Sequence, residues 1–254
     1  MAMTPSCTML LGLMTMISLH ADARAEPLVF QSSESQVSLV ELFTSEGCSS
    51  CPPAEKWLSD LKAAPGLWKH FVPVAFHVDY WDYLGWRDLW ASKAFSDRQR
   101  AYAQRWRRDS VYTPGFVLNG QEWSTWSHQK DGPPALGTKA GILSVSSADL
   151  VHWQVSFSPI GYGAGGYELH AAVLANELIS DVTAGENRGR RLSHDFVVIA
   201  ITTRSLTRQG EKLAGEFEFK TAKNDEAKRL ALAVWVTPLG RLEPLQAVGG
   251  WLSH

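Results

Sequence analysis

Residues 40–54 read Val40-Glu41-Leu42-Phe43-Thr44-Ser45-Glu46-Gly47-Cys48-Ser49-Ser50-Cys51-Pro52-Pro53-Ala54, and the reading of the whole chain starts from them. The first residues belong to Gln36–Phe43, a run rich in Val and Leu that reads as a buried strand. Thr44–Gly47 is a polar turn. Two cysteines spaced Cys-x-x-Cys follow, and Ala54–Ala63 then places Trp57, Leu58 and Leu61 on one helical stripe. Pro52 and Pro53 suit a first turn, where amide hydrogens have no acceptor inside the helix. Pro65-Gly66 ends that helix.

Phe71–Val78 is nearly continuous in apolar residues, as a strand covered on both faces would be. The loop Asp79–Trp90 is dense in Tyr, Trp and Asp. Ala91–Arg108 reads as a helix with Phe95, Ala101, Tyr102 and Trp106 as its buried stripe. Thr113-Pro114 leads into a short strand, Phe116–Leu118, and Asn119-Gly120 signals a hairpin because both residues tolerate positive φ. Thr138–Val145 reads as a short helix. From about Leu150 the texture changes. His152–Phe157, Tyr167–Ala175, Phe196–Thr202, Leu213–Phe219 and Leu230–Val236 alternate apolar and polar residues between clusters of Gly, Asn and Asp, the pattern of an antiparallel sandwich. The expected fold class is therefore an α/β thioredoxin-like domain, residues 26–146, followed by an all-β, sandwich-like domain, residues 147–254.

Composition bounds the function classes. A formal net charge of −2 over 254 residues gives no global field toward nucleic acid or anionic lipid. Of the 11 Trp, four fall between Trp68 and Trp90, which marks either a thick core or a binding surface. Met9–Leu19 is an apolar run followed by Ala23-Arg24-Ala25, a small-x-small pattern, so residues 1–25 read as a signal peptide cleaved after Ala25. The run is too short to span a bilayer, which needs about 20 residues. The expectation is an exported chain, periplasmic or secreted, in an oxidising compartment where its two remaining cysteines can hold a disulfide.

A Cys-x-x-Cys pair opening a helix has a physical meaning. The partial positive charge at the helix start favours thiolate over thiol. Cys48 is then the nucleophile of thiol–disulfide exchange, and Cys51, about one turn on, resolves the mixed disulfide. Two other readings use the same cysteines: a structural disulfide, and a Cys-Cys-His copper or other metal site completed by His77. A zinc ribbon would need a second ligand pair that the sequence lacks. Thr113-Pro114 is expected to adopt the cis form beside the cysteines and to offer its backbone to an extended substrate. His77, Asp79, Trp81 and Asp82 follow the carboxyl end of the second strand, where ligands collect in open α/β sheets, and Asp79 is the first choice for a neighbour that tunes the thiols. Gly47 permits a tight turn or a close approach. Glu46, if close, opposes a strongly depressed thiol pKa by its charge.

These residues together resemble a bacterial family of secreted thioredoxin-like proteins catalogued as a domain of unknown function. The motif of residues 40–54 carries the resemblance. So do Ala75-Phe76-His77-Val78-Asp79-Tyr80-Trp81-Asp82-Tyr83-Leu84-Gly85-Trp86, Arg98-Gln99-Arg100-Ala101-Tyr102, Tyr112-Thr113-Pro114 with Asn119-Gly120, and Gly185-Glu186-Asn187-Arg188-Gly189-Arg190 with Leu192 and His194. The resemblance implies the fold, export and the cysteine pair, and it supplies no activity. The Gly185–Arg190 loop is expected to bind an anion, to dock back on the first domain, or to hold the interface through Arg188 or Arg190. The function expected from all of this is thiol–disulfide exchange on protein or peptide thiols, with no cofactor, no nucleic acid and no membrane span. The alternatives are a metal-binding module or a non-catalytic partner-binding protein with a structural disulfide.

Overall fold

The computed structural model describes Met1 and residues 26–161, 165–220 and 227–252; the expected signal peptide lies outside the described residues. The chain runs β1 (Leu28–Gln31), β2 (Ser38–Thr44), α1 (Pro52–Asp60), β3 (Phe71–His77), α2 (Lys93–Arg105), β4 (Gly115–Leu118), β5 (Gln121–Glu122), β6 (Gly141–Ser147) and β7 (His152–Pro159). It continues β8 (Tyr167–Asn176), β9 (Leu178–Asp181), β10 (Arg191–His194), β11 (Val197–Gln209), β12 (Lys212–Glu218), β13 (Arg229–Pro238) and β14 (Gln246–Trp251). Among the described residues no helix is long and apolar enough to cross a membrane.

Residues 40–54 fold as strand, turn and the start of a helix. All seven residues of β2 are buried, because the strand lies inside a sheet with elements packed on both faces. It pairs in parallel with β3, Leu42 opposite Ala75, and antiparallel with β4, Leu42 opposite Phe116. Asn119 and Gly120 take positive φ values of 49° and 84° between β4 and β5, the hairpin geometry expected of that dipeptide. Helix α1 buries Ala54, Glu55 and Leu58, and α2 buries Phe95 and Tyr102. Both pack into one core with Phe43, Phe76 and the fully buried Trp235. Deleting a side chain such as Leu58 from such a core costs about 2–5 kcal/mol.

The expected fold class is corrected by the strand pairing. Twelve strands belong to one mixed sheet, with only β9 and β10 apart from it, and there are two α-helices among the described residues. The protein is mostly β, not an α/β thioredoxin-like domain followed by a sandwich. The cause is β11. Its first residue, Val197, pairs in parallel with Ala75 of β3, and Ala75 donates its amide to the Phe196 carbonyl at 2.8 Å. Further along, β11 pairs with β8, and its last residues pair with β12. One 13-residue strand thus carries the sheet from the helical region into the antiparallel region. Alternation in the sequence marks a strand but does not name its neighbour.

A second core, containing Trp153, Phe157, Leu169, Leu213, Phe217 and Val234, fills the space between β7–β12 and β8–β13. The helix expected at Thr138–Val145 is instead strand β6, whose residues alternate buried and half-buried from Gly141 to Ser147. That alternation has the period of a strand, with Leu143 and Val145 on its inner face.

Candidate functional site

Cys48 and Cys51 form a disulfide, with their Cα atoms 5.5 Å apart, in the turn between β2 and α1. The turn is closed by its own backbone. The Cys48 amide donates to the Ser45 carbonyl at 3.1 Å, the Cys51 amide to the Cys48 carbonyl at 3.2 Å, and the Cys51 carbonyl accepts from Ala54 and Glu55. Neither cysteine has exposed surface, whereas Ser49 and Ser50 are exposed. Ser50 Oγ lies 3.4 Å from Cys48 Sγ and 3.5 Å from the Thr113 carbonyl oxygen. The Thr113-Pro114 peptide is cis. Trp81 Nε1 donates to the Thr113 hydroxyl at 2.8 Å. Trp81 also packs on Gly47, where an added Cβ would stand 2.9 Å from Trp81 Cβ; glycine is required there for a close approach.

A cap lies over this turn. It is the loop of residues 185–190, between β9 and β10. The Ser49 amide and hydroxyl both donate to Glu186 Oε2, at 3.0 and 2.6 Å, and these donors hold the Glu186 carboxyl below its usual range. Asn187 is fully buried. Its side-chain amide donates to the carbonyls of Glu46 and Cys48, at 2.8 and 2.9 Å, and Arg190 donates to its Oδ1 at 2.8 Å. The loop therefore docks back on the cysteine turn through Glu186 and Asn187, with Arg190 steadying Asn187.

Behind the turn is a buried cluster of Glu46, Glu55, His77, Asp88 and His194, none more than 6% exposed. His77 Nδ1 and Asp88 Oδ2 are 2.7 Å apart. The same Asp88 oxygen accepts the Glu46 amide at 2.9 Å, and its other oxygen accepts the Trp90 amide at 3.0 Å. Trp86 Nε1 donates to Glu46 Oε2 at 2.7 Å. His194 Nδ1 meets Glu55 Oε2 in a very short contact, and Thr44 donates to Glu55 Oε1. His194 Nε2 and Glu46 Oε1 stand 3.1 Å apart, close enough for an ion pair, without an aligned hydrogen bond. The imidazoles of His77 and His194 meet edge to face, with centroids 5.2 Å apart.

Burial opposes charge at Glu55, His77, Asp88 and His194, and their neighbours overcome it. Burial alone would raise Glu55, but the charge and hydrogen bond of His194, with His77 and Thr44, hold it below its usual value. Asp88 is likewise lowered, mainly by His77 against burial. His77 is raised by Asp88 and Glu55 in spite of burial. His194 is pushed up to about 10, burial being outweighed by Glu55 and Glu46. Glu46 faces His194 with one carboxyl oxygen and Trp86 with the other.

The structure brings Gly47, Cys48, Cys51, Trp81, Thr113 and Pro114 together at the turn and sets His77 in the cluster behind it. Asp79 lies to one side. Its carboxylate accepts from Ser96 of α2 at 2.5 Å, and its amide donates to Ser96 Oγ at 3.1 Å. Asp82 accepts the Asp88 amide at 3.3 Å, and burial followed by the charges of Asp88 and Asp79 raises its carboxyl. Sequence reasoning assigned no site role to Glu55, Asp88 or His194, and within the 185–190 loop it singled out Arg188 and Arg190 where the contacts are made by Glu186 and Asn187. Glu55 lies three residues before Leu58 and shares the buried face of α1 with it. His194 shares the inner face of β10 with Leu192. Asp88 carries no local signal.

The model of the family described as "Protein of unknown function (DUF1223)" matches residues 39–237. The chain belongs to the DUF1223 family. Its fold is similar to that of protein AGR_C_4864 from Agrobacterium tumefaciens, solved by X-ray crystallography, with TM-score 0.58 and 25% identity over 87% of this chain and 95% of that one. It is also similar in fold to HBP35 of Porphyromonas gingivalis, with TM-score 0.57 and 14% identity over 86% of this chain and 76% of that one. No curated protein sequence matches at a significant level. The match to the DUF1223 model reaches from β2 into β13 and so includes the disulfide turn, its cap and every residue of the buried cluster.

Proposed function

We propose that this DUF1223 protein exchanges thiols and disulfides through Cys48 and Cys51. The supporting observation is the chain of contacts from Cys48 Sγ through Ser50 Oγ to the Thr113 carbonyl. Once the disulfide is reduced, the Ser50 hydroxyl can turn its one proton from the Thr113 carbonyl to the Cys48 thiolate, and a thiolate so stabilised is the attacking species. Cys51, three residues on at the head of α1, takes the resolving role. In the reducing direction, Cys48 thiolate attacks one sulfur of a substrate disulfide and releases the other as a thiolate. Cys51 thiolate then attacks Cys48 Sγ, re-forms the Cys48–Cys51 bond and releases the second substrate thiol, so two electrons pass to the substrate. The reverse sequence oxidises a dithiol. The substrate class is a protein or peptide thiol or disulfide.

The full burial of both cysteines favours a second reading, a structural disulfide. Equilibration of the pair against a glutathione series separates the two. The exchange reading expects a potential between about −120 and −270 mV, and a value below about −300 mV assigns the disulfide to structure and removes the proposed activity.

A further inference from the structure

Two imidazoles and three carboxylates in one buried cluster are more than a pair of hydrogen-bonded ions requires. One ligand atom from each of Glu55, His77 and His194 lies within 4.8 Å of the other two, and all three residues are buried. His77 Nε2, almost wholly buried, has no hydrogen-bond partner among the described residues. Each imidazole is backed by a carboxylate on the nitrogen that faces away from Glu55: Asp88 on His77 Nδ1 at 2.7 Å, and Glu46 at 3.1 Å from His194 Nε2. Glu55 is itself braced at its second oxygen by Thr44. A carboxylate behind a histidine that ligates a metal fixes the ring and raises its basicity.

We propose that Glu55, His77 and His194 form a binding site for one divalent transition-metal cation of the zinc class. His77 Nε2, His194 Nδ1 and a Glu55 oxygen are the ligands. Asp88, Glu46 and Thr44 are the residues that orient them. Imidazole and carboxylate donors suit such a cation, and three protein ligands with one open position are a common zinc arrangement. The groove between α1 and β10, a cleft of about 740 Å³ lined by Pro52, Glu55, Arg190 and Leu192, borders one of the three ligand residues, Glu55. The site differs from a cysteine-based one, because the ligands stand behind the disulfide and need no thiol.

The test uses the purified full chain with its disulfide intact, loaded with zinc and then gel-filtered. The expected content is about one zinc per chain, retained in a Cys48→Ser/Cys51→Ser double variant and lost in Glu55→Gln. Asp88→Asn, which keeps the shape behind His77, is expected to weaken binding about 10–100-fold. Cobalt in place of zinc should give a visible spectrum without a thiolate charge-transfer band, identical in the double cysteine variant. The wild-type reading stands apart from the folding of any variant. Less than about a tenth of an equivalent of zinc on wild-type chain, where full occupancy is one, would overturn the proposal. So would zinc that follows the cysteines, or zinc that survives Glu55→Gln unchanged. Thiol exchange could fail by its redox potential with the metal site intact, and the reverse, so the two claims are separable.

Discussion

Two charged networks are buried on opposite faces of β2. Glu41 faces α2, where Arg98 Nε donates to its Oε2 at 2.6 Å and Tyr102 donates to its Oε1 at 2.5 Å. The guanidinium also lies 5.3–5.5 Å from the ring centres of Phe76, Tyr102 and Trp235. Three residues on, Thr44 points to the other face, as the pleat requires, and meets Glu55 of α1. The first network is closed: among the described residues, no buried polar atom of Glu41, Arg98 or Tyr102 lacks a partner. The second has more carboxylates than fixed cations and leaves His77 Nε2 unpartnered. A closed ion pair fixes the position of a helix on a sheet. An open cluster with surplus acceptors can take up another positive charge. Its place behind the disulfide, under a cap that binds the same turn, separates it from the structural pair.

The largest difference between the networks should appear in stability. Glu41→Ala leaves the Arg98 guanidinium buried without its carboxylate, and a guanidinium cannot shed its proton. Breaking a buried pair in this way costs about 3–5 kcal/mol. Glu55→Gln should cost less than half as much, since Gln can still accept from Thr44 and Glu46 still faces His194. Urea unfolding of the two variants, compared at constant m, measures the contrast. Equal losses would mean that the cluster is a structural ion network of the same kind as the pair.

The contrast also shows what was legible in the sequence. The strand, turn and helix around Cys48 and Cys51, the strand Phe71–His77, the helix over Lys93–Arg105 and the Asn119-Gly120 hairpin follow from local patterns of apolar residues, proline and glycine. The pairing of Val197 with Ala75 does not, because it joins residues that no local pattern connects, and with it went the fold class. At the site, the cysteines, Gly47, Trp81 and Thr113-Pro114 announce themselves by residue type and position. The cluster is assembled from α1, β3, β10 and a loop. Glu55 gave a usable signal, a carboxylate on the buried face of a helix beside Leu58. His194 gave a weaker one, by alternation with Leu192. Asp88 sits in a loop, where periodicity is silent, and only the fold brings it to His77.

If the cap governs access to the turn, its contacts should set how fast the disulfide is reduced. Asn187→Ala removes two hydrogen bonds to the carbonyls of Glu46 and Cys48. The Cys48 carbonyl keeps the Cys51 amide, but leaving the buried Glu46 carbonyl unpaired costs about 1–3 kcal/mol, and about 1.4 kcal/mol is tenfold in an equilibrium. Reduction of Cys48–Cys51 by dithiothreitol, followed by thiol labelling and mass, should therefore accelerate by about tenfold or more. Glu186→Ala removes exposed contacts and should accelerate it by less. Global unfolding must be measured alongside. If the acceleration only tracks the loss of global stability, the loop is part of the scaffold and the cysteines are exposed by unfolding alone.

The smallest effect concerns a histidine on the far side of the closed network. His170 of β8 lies between the hydroxyls of Thr203 and Thr237, at 3.0 and 3.1 Å, and stacks on Trp235. Arg98 lies over the same indole, 5.5 Å from its centre. Burial first, and then the Arg98 charge, lower the His170 pKa to about 3, the opposite direction from His194 among its carboxylates. Between the ordinary histidine value of about 6.5 and about 3, the unfolded chain binds a proton here that the folded chain refuses. Stability from this group is complete above the unfolded value and is lost as pH falls. Near pH 5.5 the loss should be about 1 kcal/mol. His170→Gln keeps a polar partner for both threonines and removes the titration, so its stability should fall less than that of wild type over the same pH step. Parallel curves would show that the Arg98 network admits a second positive charge beside it. The closed network would then be no better defended against added charge than the open one.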